Sequence, residues 1–188
     1  EALNNFFKYQ TNIKKVVNQG VYRTTDTIFV EGKWRKDGEN DHDNSLKNIA
    51  FNNATINYVG TADKCILFLY NHFETIFEGL TVTRTSNNGY IDMTGMWHCK
   101  FSNFDMKCDL RMNYDISKVS EIIFTESIHT CIFDNVNILG NVYMNSTNTY
   151  INTIQFKNCC LNGKNAKEYA IELKGSNGYQ NISFVSCD

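Results

Sequence analysis

Proline is missing from all 188 residues of this chain. A chain that turns often must then bend without the residue whose backbone is pre-set for turns, and asparagine and glycine are left to do it. There are 26 asparagines and 11 glycines. Asparagine tolerates the left-handed backbone region, and its amide bonds to nearby main chain. The same bias toward asparagine, lysine and isoleucine is also what an AT-rich coding sequence produces, and composition alone leaves both readings open. An excess of positive charge is missing too. Lys and Arg number 18 against 20 Asp and Glu, a net charge of −2, without the clustered basic surface that general nucleic-acid binding needs. No apolar run approaches the roughly 20 residues that cross a bilayer, so membrane insertion is not expected. The first residues, Glu1 to Asn5, lack the basic start and apolar centre of a secretory signal.

Cysteine is present, but not in a pattern that builds anything covalent. The seven are Cys65, Cys99, Cys108, Cys131, Cys159, Cys160 and Cys187. An odd count with no regular short spacing is not a disulfide framework, and without a Cys-x-x-Cys pair no structural zinc site is expected. They read as buried free thiols of a protein assembled in reducing cytoplasm. No cofactor is implied.

What is present is a repeat. The pattern apolar-x-Phe-x-Asn-apolar-x-apolar starts at Ile49, with Phe51, Asn53, Ala54 and Ile56 in its fixed positions. It recurs around Phe77 (with Gly79, Leu80 and Val82), Phe101 (with Asn103, Phe104 and Met106) and Phe133 (with Asn135, Val136 and Ile138). Two more copies centre on Phe156 (with Asn158 and Cys159) and Phe184 (with Ser186 and Cys187). The phenylalanines lie 26, 24, 32, 23 and 28 residues apart, within the range of solenoid repeats with variable insertions. Apolar residues two apart are strand-like, the Asn position breaks the phase, and a second strand follows. The fold expected is all-β, a right-handed parallel β-helix (solenoid), with residues 48–188 as repeating coils. Stacking would place the six phenylalanines in one column and Asn53, Asn103, Asn135 and Asn158 in an amide ladder interrupted by Gly79 and Ser186. It would also put Cys99 on Cys131, and Cys159 in the column of Leu80 and Val136. Sandwich strands would show no such position-specific repetition, and leucine-rich repeats would need fixed leucines. Three glycosylation sequons begin at Asn53, Asn145 and Asn181. A ladder asparagine at 53 is expected to be buried, which argues against glycosylation.

At the start, Ala2, Leu3, Phe6 and Phe7 share one helical face, so residues 2–10 are predicted to form a short amphipathic helix. A solenoid needs such a cap over its first coil, and residues 1–30 are read as capping helix plus first coil. The run from Glu1 to Phe7, then Gly20-Val-Tyr22 and Thr27 to Val30, resembles the start of pectate-lyase-like β-helices in phage tailspikes and related polysaccharide-active proteins. The resemblance covers nearly the whole chain in architecture and implies a homotrimeric tail appendage, with host surface polysaccharide and other virion tail proteins as partners. In that family an aspartate- and threonine-rich segment usually comes just before the helix, and the sequence begins too late to show it. The sixth copy stops at Asp188 before its second strand, from which a longer natural chain is expected.

Cleavage of a glycan needs two carboxylates about 5–5.5 Å apart for retention or roughly 6.5–9.5 Å for inversion, and lyases of the resembled family use calcium or a basic residue. Stacked strands about 4.8 Å apart bring outward positions of neighbouring copies to either spacing. The position after each phenylalanine holds Asn52, Glu78, Ser102, Asp134 and Lys157. Glu78 and Asp134 thus share a column, with Asp105 and Asp109 outward on the intervening copy and Arg111 and Asn113 following in the same alternation. These four carboxylates are the catalytic candidates, although outward strand positions carry charge for solubility alone. Trp34 and Trp97 are candidate sugar platforms, with His98, His129 and Arg111 as further glycan contacts; Trp97 equally suits core or subunit interface. Asp41, His42 and Asp43 lie too close in sequence to converge on one metal, and their polar stretch from Lys33 to Asn44 is read as a solvated loop. The insertion from Tyr114 to Glu121 is the surface feature most open to specialisation.

Two functions follow as expectations. One is a phage tail appendage, virion-borne and assembled in host cytoplasm, that binds host glycan with or without degrading it. The alternative is a bacterial polysaccharide lyase or glycoside hydrolase, secreted, with Asp105 and Asp134 essential. A non-enzymatic adhesin is the third and weakest.

Overall fold

The computed structural model describes residues 2–8, 14–32, 47–86, 88–114, 127–147, 149–163 and 170–188. These residues are mostly β, with one short helix, α1 (Ala2–Lys8), and sixteen strands whose pairings are all parallel. The strands stack in three series. The first comprises β1 (Lys15–Val16), β4 (Asn48–Tyr58), β6 (Ile76–Arg84), β8 (Lys100–Met106), β10 (Ile128–Leu139), β12 (Ile151–Lys157) and β16 (Ser183–Val185). The second begins with β2 (Val21–Thr24), continues through the later halves of β4, β6, β8 and β10, and ends at β13 (Cys160–Asn162). The third holds β3 (Ile28–Glu31), β5 (Cys65–Phe73), β7 (Tyr90–Trp97), β9 (Asp109–Met112), β11 (Val142–Asn145) and β14 (Ile171–Lys174). The far ends of β5 and β7 lead into β10, β12 and β15 (Tyr179–Gln180), which joins the third series to the first.

Repetition in sequence becomes repetition in space at the phenylalanines. Phe77, Phe101, Phe133, Phe156 and Phe184 stack with centroids 4.7, 4.8, 4.9 and 5.3 Å apart and planes within 14° of parallel. In-register parallel pairing sets that spacing, because neighbouring strands lie about 4.8 Å apart. Phe51 does not join the column. Ile49 and Ala50 pair with Phe77 and Glu78, and pairing resumes at Ala54 with Leu80, so residues 51–53 face Gly79 alone. Asn52 and Asn53 both take left-handed φ, 45° and 59°, where β6 turns with only Gly79 at 75°. The wider corner carries Phe51 out of the stack to meet Phe104 edge-on at 6.1 Å and Phe7 at 6.3 Å.

The corner asparagines do adopt the left-handed conformation, with φ of 57° at Asn103, 56° at Asn135 and 53° at Asn158. Asn135 Nδ2 donates to Asn103 Oδ1 at 2.7 Å. Asn158 instead donates to Asp134 at 3.3 Å, so the ladder is broken there. Contrary to the expectation from the ladder, Asn53 is exposed, because the amides line the outside of the corner. Burial therefore does not count against glycosylation at that sequon.

A second left-handed column has no constant residue type. Glu74, His98, Thr130, Thr153 and Asn181 have φ of 51–55°, and the flanking pairs Phe73 with Trp97, Trp97 with His129, His129 with Asn152, and Asn152 with Gln180 place them one above another. A β-branched residue with positive φ is strained. Replacing Thr130 by glycine is expected to relieve about 1 kcal/mol and raise the melting temperature by a few degrees in thermal unfolding. A lower melting temperature would mean that the threonine side chain contributes more than the strain costs.

The core lies between the series. Cys99 sits on Cys131, and Ala54, Leu80, Phe104, Val136 and Cys159 form another column, all buried. All seven cysteines are free thiols. Helix α1 covers the first tier of strands. Phe7 is buried, while the Asn4 amide donates to Thr27 O at 2.9 Å and accepts from Phe29 N–H at 2.8 Å, mimicking a strand partner along the edge of β3. The helix ends at Lys8 within the described residues, and positions 9–10 of the predicted span lie outside them. The segment from Val21 to Val30 forms two strands, β2 and β3, separated by the Thr24–Asp26 turn, where the Thr24 hydroxyl accepts from Asp26 N–H at 3.0 Å.

One buried polar group bridges tiers. His72 is fully buried, with Nε2 3.0 Å from Val30 O and Nδ1 3.2 Å from the Thr75 hydroxyl. The carbonyl can only accept, so Nε2 carries the proton. Desolvation lowers its pKa from 6.5 to about 3 against the opposing bond to Val30.

Candidate functional site

The four candidate carboxylates do not converge. Glu78, exposed, lies two strands from Asp134 across Ser102. Asp134 is held by Lys100 Nζ at 3.1 Å and Asn158 Nδ2 at 3.3 Å, and hydrogen bonding to Lys100 lowers its pKa. Asp105 accepts from Asn137 Nδ2 at 2.9 Å, with Lys107 at 3.7 Å.

Asp109 corrects the expectation of an outward, open carboxylate. The alternation in β9 holds, since Leu110 and Met112 enter the main core, but the opposite face is covered as well. Asp109 is 1% exposed and accepts Asn141 N–H at 3.1 Å, and Asn113, four residues on, is buried too. Arg111 is likewise no open glycan contact. Its guanidinium lies 3.6 Å from the Tyr90 centroid and 4.6 Å from that of Tyr114, and bonds Asp63 at 3.1 Å, with Asp109 at 3.7 Å. A cation placed over ring faces and against carboxylates is a packing hub. Phe68, Tyr70, Tyr90 and Cys65 form a second apolar cluster on this side of the sheet.

Trp97 and the histidines do come together. Trp97 pairs in register with His129, and the rings lie 4.4 Å apart at 42°. His98 packs edge-on against Phe73 at 5.8 Å and donates its backbone N–H to His129 O at 2.9 Å. Burial first, and then His98, lower the pKa of His129, so its ring is neutral at neutral pH. Trp34, Asp41, His42 and Asp43 lie outside the described residues, as does the 114–121 insertion beyond Tyr114.

Two open clefts flank the first series of strands. One runs along the asparagine corner and is lined by Asn103, Asp105, Asn135, Asn137 and Asn158 with Phe104, Val136 and Cys160. Its amides and carboxylate largely bond one another. The other begins at Thr130, next to His129, and is lined by Ile132, Thr153, Gln155, Asn181, Ile182 and Ser183. In this cleft the side chains of Thr130, Gln155, Asn181 and Ser183 make no hydrogen bond among the described residues, leaving their donors and acceptors to solvent or a ligand. Sequence reasoning found Trp97, His98 and His129 but missed this cleft, because the lining residues come from a corner with no repeated residue type.

No group of three or more His, Cys, Asp or Glu among the described residues is arranged to hold a metal ion, and no described helix is long and apolar enough to cross a membrane. No family model, curated protein or solved structure matches the chain.

Proposed function

We propose that this chain is a right-handed parallel β-helix of the pectate-lyase-like type, that it serves in a trimeric phage tail appendage, and that it binds host surface glycan without cleaving it on the described residues. The observation that carries the reading is the Trp97–His129 ring pair at 4.4 Å, with His129 directly preceding Thr130, the first residue lining a cleft of uncommitted hydroxyls and amides. Aromatic faces take the C–H faces of sugars, and amides and hydroxyls take their hydroxyl groups. The parallel in-register stacking and the shared corner positions support the β-helix, and the free thiols are compatible with assembly in reducing host cytoplasm. A lyase or hydrolase reading has less support. A general acid needs a raised pKa, whereas Asp134 is shifted down by Lys100, and Asp105 and Asp109 are bonded to amides.

Binding of the chain to polysaccharide extracted from its host tests this reading. Trp97→Ala is expected to weaken binding by about tenfold or more, the loss of one stacking platform being on the order of 1.5 kcal/mol, with an unchanged circular dichroism spectrum. Undiminished binding by Trp97→Ala would remove the basis of the proposal. Release of reducing ends or unsaturated sugars, abolished by Asp134→Asn, would favour the enzymatic alternative.

A further inference from the structure

We infer that the cleft from Thr130 to Ser183 takes an uncharged glycan lying along the stacking direction of the strands; this rests on the glycan-binding reading above and adds the ligand's charge and orientation. Orientation follows from register. Thr130, Thr153 and Asn181 occupy the same left-handed corner position in successive tiers. Ile132, Gln155 and Ser183 pair in register on the adjoining strands. Equivalent positions therefore recur every ~4.8 Å across the strands, and the cleft offers a row of polar groups perpendicular to the chain direction. An extended oligomer laid along that row meets one corner residue and one strand residue per tier. A ligand laid along a strand would leave the cleft after two or three residues.

The charge of the ligand follows from what lines the row. Every residue named as lining the cleft is uncharged. Lys100, which shares the outward column of Ile132 and Gln155, already bonds Asp134 at 3.1 Å. Lys47, farther along the same corner, bonds Glu74 at 3.3 Å and lies 5.0 Å from the Phe73 centroid. His129 is neutral at neutral pH. A uronate or sialate placed here would lose carboxylate hydration without gaining a cationic partner among the lining residues. A neutral sugar loses nothing comparable. Its hydroxyls both donate and accept, as do the Gln155 and Asn181 amides and the Thr130 and Ser183 hydroxyls, while Ile132 and Ile182 provide apolar floor for C–H groups. The asparagine-corner cleft is a weaker candidate for the same ligand, because four of its five polar side chains are already bonded in pairs, Asn135 to Asn103 and Asn137 to Asp105.

The test is isothermal titration of the full chain with oligosaccharides of matched length. The neutral set is maltohexaose, cellohexaose and dextran-derived hexamers, and the anionic set is hexagalacturonate and an alginate hexamer. At least one neutral hexamer is expected to bind about tenfold more tightly than either anionic one. Gln155→Ala is expected to weaken that binding about fivefold to tenfold, the effect of losing one bond to an otherwise satisfied ligand, with an unchanged melting temperature. Anionic hexamers binding as tightly as the neutral ones would overturn the inference while leaving the glycan reading standing. So would binding that is lost in Trp97→Ala but unaffected in both Gln155→Ala and Asn181→Ala. No binding by any hexamer would overturn the inference, and extracted host polysaccharide would then show separately whether the glycan reading survives.

Discussion

Phe133→Ala is expected to destabilise the protein by about 4 kcal/mol, in the middle of the range for buried phenylalanine truncations. Phe133 is fully buried and lies between Phe101 and Phe156, with centroids 4.8 and 4.9 Å away and planes 7° and 14° from its own. Removing the ring takes away its apolar burial and opens a void bounded by aromatic faces above and below. That void cannot close by collapse, because the hydrogen-bonded ladders β8–β10 and β10–β12 hold the neighbouring tiers at a fixed spacing. Phe184→Ala is the internal control. Phe184 has one stacking neighbour in the column, Phe156 at 5.3 Å, and is 47% exposed, so its loss should cost about 1 kcal/mol. Denaturant unfolding followed by far-ultraviolet circular dichroism compares the two. Equal costs would show that the column is a geometric coincidence of register and not a source of stability. In a stacked architecture stability is close to a sum of nearest-neighbour terms, so Phe133→Ala should also broaden the transition as the two sides of the gap uncouple.

Acidification from pH 7 to pH 5 is expected to remove about 2 kcal/mol of stability through His72 alone. The folded-state pKa of about 3 lies below the ordinary 6.5, so between these values the unfolded chain binds a proton that the folded chain excludes. Stability from this group is complete above about pH 6.5 and declines as pH falls toward 3. His129, also shifted down, acts in the same direction. Asp26 and Asp134, whose pKa values are lowered by Lys64 and Lys100, lose their contribution only at lower pH, below the ordinary carboxylate range. The window from 7 to 5 therefore isolates the histidines. In His72→Gln, which can still donate to Val30 O, the slope over that window should flatten even though the variant starts from lower stability. A slope unchanged by His72→Gln would mean that the imidazole is not the proton-linked group.

Much of the architecture was legible because stacking imposes a chemical requirement at each repeated position. An interior position between tiers accepts a flat apolar ring, and a left-handed corner accepts asparagine or glycine. The pattern around Phe77, Phe101, Phe133, Phe156 and Phe184 recorded both constraints, and the cysteine columns followed from the same alignment. The N-terminal helix was legible from its apolar face. Phe51 was misassigned because spacing from a corner counts residues, whereas register counts hydrogen bonds, and the second left-handed asparagine at that corner makes the counts differ.

Local pattern could not report which outward positions are covered. Period-two alternation correctly separates Leu110 and Met112 from Asp109 and Arg111, but exposure depends on what else packs against that face. Here Tyr90 and Asp63, distant in the chain, join the nearby Tyr114 around Arg111. The cleft that starts at Thr130 depends on a corner whose residues, Glu74, His98, Thr130, Thr153 and Asn181, share a backbone conformation and no side-chain chemistry. Sequence by itself determined the parallel, repeating β character of this protein and the aromatic column at its centre, since those rest on residue types that recur at each tier. Tertiary structure alone decided which carboxylates are neutralised and which polar groups are left uncommitted, because both depend on partners brought together by register between tiers.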